Sequence, residues 1–376
     1  MSATPAAAEI AAGIQSWIRC ESPSSSPQGL AAMAAMVKQQ AEAAGLAAQL
    51  IPLGDATGPL LHVSNRAAGD SRSGILVLAH LDTVHPIGTL QQNPCRIEGD
   101  RLYGPGGYDM KGGAYVALAA LGQLAAPGAS ALPVDYLLVP DEETGSSHSR
   151  ATTERFARQA RYALVCEPAR SDRGKCVTAR KGTGLLHLKV HGRPAHAGMQ
   201  HELGRSAIRE MAHQVLALEA MTDYARGITV SVGTIAGGTV SNTVPAQCEA
   251  VVDFRVPDMQ AAEYVLATMG AMKAVRPDVK LDIAVELNRP PMVKTDAAAA
   301  LLARVQAWAA AAGFALEDAP MTGGGSDANF TAALGVPTLD GLGVDGDGAH
   351  TLHEYLLLST LPQRLAFWKL LLKNLD

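Results

Sequence analysis

The sequence is poor in the features that serve nucleic acids, membranes and oxidising compartments. Aromatic residues make up only 4% of its 376 positions, too few for the stacking platforms that hold unpaired bases. It has no basic surplus: 31 Lys and Arg stand against 36 Asp and Glu, a formal net charge of −5. A nucleic-acid-binding surface needs the opposite balance. No apolar run reaches the roughly 18 residues needed to span a bilayer. The opening stretch MSATPAAAEIAAGIQSW has neither a basic start nor a pure apolar segment, so no signal peptide is expected. Cysteine is sparse and scattered. Cys20, Cys95, Cys166, Cys176 and Cys248 are odd in number and contain no C-x-x-C pair. That favours reduced thiols in a cytoplasmic protein over a disulfide framework.

What remains is the composition of an ordinary globular chain, 48% hydrophobic and 18% charged, with length enough for two domains. The first fifty or so residues read as helical from their Ala-rich composition and apolar spacing, with the loop SPSSSP at 22–27 between two helices. Short apolar runs follow at Ile75–Ala79, Val134–Val139 and Tyr162–Cys166. Such runs suit strands buried on both faces of a sheet. A helical stretch, Lys111–Ala125, lies between the first two, and the alternation indicates an α/β layer architecture. After Lys181 the pattern changes. Strands are expected at Leu185–Val190, Ile228–Ile235, Gln247–Phe254 and Val279–Glu286, and helices at Gly204–Ala220 and Asp258–Lys273. The order β-α-β-β-α-β is the ferredoxin-like arrangement. The α/β pattern then resumes with a helix at Thr295–Gly313, a glycine turn at Gly323–Asp327 and a C-terminal helix at Thr360–Asn374.

Each buried run ends in chemistry. Ile75–Ala79 leads into His80-Leu81-Asp82, Val134–Val139 into Asp141-Glu142-Glu143, and Tyr162–Cys166 into Glu167. In open α/β sheets, ligands bind beyond the carboxyl ends of the strands, so three strands deliver a His and several acids to one rim. Asp109 adds another acid from the loop GPGGYDMKGG at 104–113. Carboxylates crowded this closely repel one another unless a cation neutralises them, and imidazole plus carboxylate is a natural set of zinc ligands. Asp82, two residues after His80, is placed to accept the other ring N–H and fix the tautomer. Bland readings exist for each piece. An acidic run suits a helix N-terminus, and a glycine loop can cradle phosphate. Yet no Gly-Lys-Ser/Thr follows the loop, and G-x-G-x-x-G spacing is missing. His187, His191, His201 and His213 read as surface residues, Met33 and Met36 as core filler, and Cys166 and Cys176 as inert buried thiols.

Eight motifs in order carry a resemblance. They are HLDTV, GPGGYDMKGG, DEETGS and CEP, then GRPAHAG, GGTVSNTVPA, GGGSDAN and AHTLHEY, running from His80 to Tyr355. Their order and spacing resemble the dinuclear-zinc aminoacylase and carboxypeptidase family, and within it the folate-hydrolysing glutamate carboxypeptidases of bacteria. The resemblance implies a zinc-peptidase catalytic domain with a mixed, mostly parallel sheet over residues 1–180 and 291–376. It also implies an inserted ferredoxin-like lid and dimerisation domain over 181–290. It implies two zinc ions per chain, with cobalt or manganese as substitutes. Asp109 bridges them, His80 and Glu167 complete one site, and Glu143 and His350 the other. Glu142 becomes the general base and not a ligand, beside Asp82. The pattern Ala-His-[Ser/Thr]-x-x-Glu selects His350 over His353. Glu167, where many relatives carry Asp, fits the carboxypeptidase branch.

The implied reaction is hydrolysis of an amide whose amine side is a free α-amino acid, with glutamate the expected residue. His196 on the lid is the implied oxyanion donor, reaching the partner's site across a lid-to-lid homodimer. Arg289, in NRPP, matches the family's carboxylate-binding Arg, and bidentate geometry makes Arg suited to that task. Asn242 and the Gly323–Gly325 amides, Gly324 among them, are secondary contacts, whereas Arg255 is expected to brace its own strand. An N-acyl-amino-acid deacylase or a dipeptidase of the same family is the first alternative. The stretch His201-Glu202-Leu203-Gly204 leans toward the carboxypeptidases. A metal-free binding protein on the same scaffold is the second, and retention of all five ligands and Glu142 argues against it.

Overall fold

Gly74–His80 is a strand in which every residue is buried, as expected of a chain segment covered on both sides of a sheet. The computed structural model describes residues 7–126, 128–170 and 174–376; the opening residues 1–6 of the stretch read for a signal peptide lie outside them. The strand sits inside a six-stranded sheet in the order Ala47–Ile51, Leu60–Ser64, Val134–Val139, Gly74–His80, Ala160–Val165, Thr338–Leu339. The last four are mutually parallel and the first two pair antiparallel. The fold is therefore α/β with a mixed, mostly parallel sheet.

Helices Ala7–Ile18, Pro27–Ala43, Gly112–Gly122, Asp296–Ala311 and Leu361–Asn374 supply apolar residues to a single core around Trp17, Tyr136, Phe367 and Trp368. Their ends follow local chemistry. Ser26 caps the second helix by accepting from Gly29 N–H, with Pro27 at its first turn, a placement that wastes no backbone donor. The same helix stops at Gly45, whose φ is +83°. There Gly45 N–H bonds Glu42 C=O and Leu46 N–H bonds Ala41 C=O, the paired bonds of a Schellman stop. The helical reading of the first fifty residues thus fails after Ala43, because this glycine stop frees Ala47–Ile51 to join the sheet edge.

A second small sheet, Gly346–Asp347, Tyr355–Leu357, Arg101–Tyr103 and Arg96–Glu98 in that order, was not legible in the sequence. Two- and three-residue strands carry no period to read. It brings the loop that holds His350 beside the loop that holds Asp109. The helix after Asp109 then packs unusually close to the sheet. A Cβ on Gly113 would stand 2.4 Å from Cys166 C=O, so only glycine fits there.

The chain divides into two units. One takes the described residues up to Ala179, Lys294–Thr322 and Ser326–Asp376; the other takes Arg180–Val293 and Gly323–Gly325. The inserted unit is a four-stranded antiparallel sheet in the order Lys280–Arg289, Gly182–His191, Gln247–Val256, Thr229–Gly237. Helices Ala207–Glu219 and Met259–Gly270 complete its own core around Leu186, Met211, Phe254 and Val265. Gly323–Gly325, read in the sequence as part of the catalytic domain, groups here because Arg180 Nη1 donates to Gly324 C=O at 3.0 Å.

Candidate metal centre

The three neighbouring parallel strands of the first unit end at one rim. His80 closes the strand Gly74–His80, Glu142 and Glu143 form a short turn after Val134–Val139, and Glu167 follows Ala160–Val165. Asp109 lies in the irregular turn Gly107–Lys111, where the Asp109–Met110 peptide is cis. His350 joins from the far end of the chain, with φ +65°, a conformation that non-glycine residues rarely hold and that marks sites under functional constraint.

These side chains converge on Asp109 from two directions. Its Oδ1 lies 3.2 Å from His80 Nε2, and its Oδ2 lies 3.4 Å from His350 Nε2. Glu167 approaches His80 Nε2 to 3.9 Å, and Glu143 approaches His350 Nε2 to 3.2 Å. Ligand-type atoms of His80, Asp109 and Glu143 lie within 4.8 Å of one another, as do those of His80, Glu142 and Glu167. Neither group includes His350 or His353, and both are exposed; what sets His350 apart is its approach to Asp109 and Glu143.

Burial and crowding shift the ionisation of the cluster. Burial pushes the Glu167 carboxyl well above the usual range, and Asp109 and Glu142 add to the shift. Burial likewise raises Glu143 to about 7 against the pull of His350. The bonds from Asp109 and Glu143 hold His350 up to about 11. Asp109 is drawn below its ordinary value by the two imidazoles although burial opposes it. Carboxylates this close together call for neutralising positive charge. Glu143 Oε1 is moreover buried with no hydrogen-bond partner. Two imidazoles and three carboxylates, one with an orphaned buried oxygen, fit a pair of divalent cations, because five such groups exceed the needs of one tetrahedral zinc.

Asp82 differs from the sequence expectation in how it works. The ring N–H of His80 Nδ1 is 2.9 Å from the Asp82 backbone carbonyl, while the Asp82 carboxylate stands off at 3.5 Å. The carboxylate instead accepts from Glu142 N–H at 3.2 Å, Glu143 N–H at 3.0 Å and Ser24 Oγ at 2.7 Å. The turn after His80 bends the carbonyl toward the ring, which two-residue spacing alone does not reveal. Burial lifts Asp82 to about 6. The glycine loop holds no phosphate-type cradle open. Its amides at Gly106, Tyr108 and Asp109 all donate to Glu354. Ser24, His85 and Glu354 were missed as site residues; only Glu354, closing the AHTLHE pattern, left a signal.

The remaining expected residues belong to the inserted unit. His196 is exposed, and its Nδ1 accepts from Gly198 N–H at 3.1 Å and Met199 N–H at 3.2 Å. With Nδ1 accepting, the ring proton sits on Nε2, which is left as a donor. Ala197 N–H bonds Asn242 C=O and Val244 N–H bonds Ala195 C=O, so the segments of His196 and Asn242 run side by side. Arg289 is buried, with Nη1 donating to Asn288 Oδ1. It packs so tightly on Gly325 that a Cβ there would meet Arg289 Cδ at 2.8 Å. Gly324 is exposed. Arg255 forks onto Asp253 two residues back on its own strand.

The chain is similar to known peptidases. The model of peptidase family M20/M25/M40 matches residues 76–374. Carboxypeptidase G2 from Pseudomonas sp. (strain RS-16) is 31% identical over 309 residues, 81% of this chain and 74% of that one. Acetylornithine deacetylase from Myxococcus xanthus is 32% identical over 211 residues, 53% of each. The solved structure of YXEP from Bacillus subtilis, described as a dinuclear metal binding peptidase from the M20 family, shares the fold with a TM-score of 0.68. It is 14% identical and covers 98% of both chains. The chain belongs to peptidase family M20/M25/M40, a family of metal-dependent hydrolases.

Proposed function

We propose that the chain is a dinuclear zinc carboxypeptidase that releases a C-terminal amino acid, glutamate, from an amide. The observation that carries the metal reading is Asp109, which turns one oxygen to each of two imidazoles. His80 and Glu167 would hold one ion with Asp109, and Glu143 and His350 would hold the other. Two zinc ions bound there would supply a nucleophile at neutral pH and a polarised carbonyl. Glu142 takes the proton of the attacking water and hands it to the leaving nitrogen as the C–N bond breaks. Asp82 holds the turn that presents Glu142. His196 donates from Nε2 to the developing oxyanion. Arg289 binds the free α-carboxylate of the substrate, with Asn242 and Gly324 beside it, and the choice of glutamate follows the resemblance of the motifs.

The active form is a homodimer in which His196 serves the partner's site. The edge strand Thr229–Gly237 supports this. Among the described residues it pairs on one side only, and its last five residues are exposed, an edge that calls for cover. The five free cysteines, buried or half-buried, suit a cytoplasmic protein. No described helix is long and apolar enough to cross a membrane. The partial match to a deacetylase keeps an N-acyl-amino-acid substrate as the second reading.

Two variants test the assignment. Glu142→Gln should abolish turnover with metal content intact, and Glu143→Gln should lose metal from one site. Swapped phenotypes, or zinc saturating at one per chain in the fully active enzyme, would overturn it. A screen of folate-like glutamyl amides, dipeptides and N-acyl amino acids separates the two substrate readings.

A further inference from the structure

Glu354 is a fully buried carboxylate filled by donors from two directions. Its Oε1 accepts from Tyr108 N–H at 2.8 Å and Asp109 N–H at 2.9 Å. Its Oε2 accepts from Gly106 N–H at 2.9 Å and His85 Nε2 at 2.9 Å. A carboxylate offers about four acceptor positions, so all are occupied. The amides form a concavity of the kind that binds anions, made possible by the left-handed Gly106 at φ +70°. A Cβ at that residue would press to 2.4 Å from Thr83 Cγ2.

The carboxylate is thus the counterpart of the glycine loop. It grips the main-chain N–H of Asp109 itself, and it stands four residues after His350. One side chain therefore ties together the two segments whose approach brings Asp109 Oδ2 to His350 Nε2. We propose that Glu354, braced by His85, is a positioning residue for the metal pair and sets the separation of the Asp109 carboxylate from the His350 imidazole. The proposal rests on the metal-centre reading above.

Glutamine is the informative replacement. Its single oxygen can still accept from Tyr108 and Asp109, but its amide nitrogen then faces the Gly106 N–H. His85 can adapt by switching tautomer; a backbone amide cannot. The loop must shift, and Asp109 with it.

The experiment measures zinc affinity of the full chain by competition with a chromogenic chelator, for the unmutated protein, Glu354→Gln and Glu354→Asp. Apo-protein folding is followed by circular dichroism at 25 °C. The expected result is folded apo variants that bind zinc about 10–100-fold more weakly, with an altered visible spectrum of the cobalt-loaded Glu354→Gln form. A purely structural role lowers the melting temperature and leaves the affinity of the folded chain unchanged. That outcome, or both variants unfolded at 25 °C, overturns the proposal. Failure of the unmutated protein to bind zinc overturns the metal-centre reading and this inference with it. Binding by the unmutated protein with equal affinity in the variants overturns this inference alone.

Discussion

Replacing Asp82 with asparagine separates two ways of using one residue. The carboxylate is fully buried and accepts three hydrogen bonds, from Ser24 Oγ, Glu142 N–H and Glu143 N–H. If the asparagine oxygen takes the place of Oδ2, it keeps Ser24 and Glu143. Its NH2 then points at the Glu142 N–H, donor against donor. The loss is a hydrogen bond to a charged group, about 1.5–3 kcal/mol, applied to the turn that aims the general base. If all of it falls on the transition state, kcat drops by about 13- to 160-fold. KM should move little, because Asp82 is not among the residues proposed to bind the carboxylate. Zinc content should not move at all. The bond that orients His80 is accepted by the Asp82 main chain, and the substitution leaves it in place. Steady-state kinetics with elemental analysis on the same preparation decides the matter. Loss of zinc with unchanged turnover per remaining metal would mean that the carboxylate steers His80 after all. A kcat within twofold of the unmutated enzyme would refute the reasoning about Glu142.

Arg289→Ala should raise KM for substrates with a free α-carboxylate by the equivalent of about 1.5–3 kcal/mol, read in steady-state assays; equal cleavage of amidated and free substrates by the unmutated enzyme removes the basis for it. Mixing two inactive variants, Glu142→Gln and His196→Ala, should restore activity at one site of each mixed dimer, since the subunit with intact Glu142 receives an intact His196; mixed dimers that stay inactive exclude action across the interface. The Glu142→Gln and Glu143→Gln pair given above divides base from ligand. Away from the site, His62 and Arg66 hold the Asp135 carboxyl below its ordinary value although burial opposes them. A depressed carboxyl stabilises the fold above its unfolded-state pKa of about 3.9 and loses that contribution as pH falls through the lower native value. Asp135→Asn should therefore cost about 1.5–3 kcal/mol in urea unfolding at pH 7, and the difference should vanish in acid; a pH-independent difference contradicts the ion-pair account.

The parts of this protein that were legible in sequence are those where period and chemistry coincide. Val134–Val139 could be bounded correctly because a run with five of its six residues buried leaves only one environment in which it fits. The acids after it became a site because parallel strands put their carboxyl ends together. The inserted unit was readable for the opposite reason. Gln247–Val256 alternates between buried and less buried positions along its whole length, the mark of a sheet with one covered face. What escaped was anything decided by a carbonyl or an amide. The tautomer of His80 is set by the main chain of Asp82, that of His196 by the amides of Gly198 and Met199, and the glycine loop is filled from Glu354. A sequence names side chains, and these bonds depend on where the backbone turns.

The order in which the metal-ligating candidates occur has a consequence for the protein's birth. His80, Asp109, Glu143 and Glu167 all precede the inserted unit, while His350 and Glu354 follow it. A nascent chain that has emerged through Glu167 still lacks the imidazole that faces Asp109 Oδ2 and the carboxylate that grips the Asp109 amide. At about 5–20 residues per second, that interval lasts on the order of ten to forty seconds. During it the inserted unit, with a core of its own, can fold while the acidic rim stays open. On the proposed assignment, the centre stays incomplete until His350 and Glu354 are made, and a message cut short before them yields a chain with half a centre.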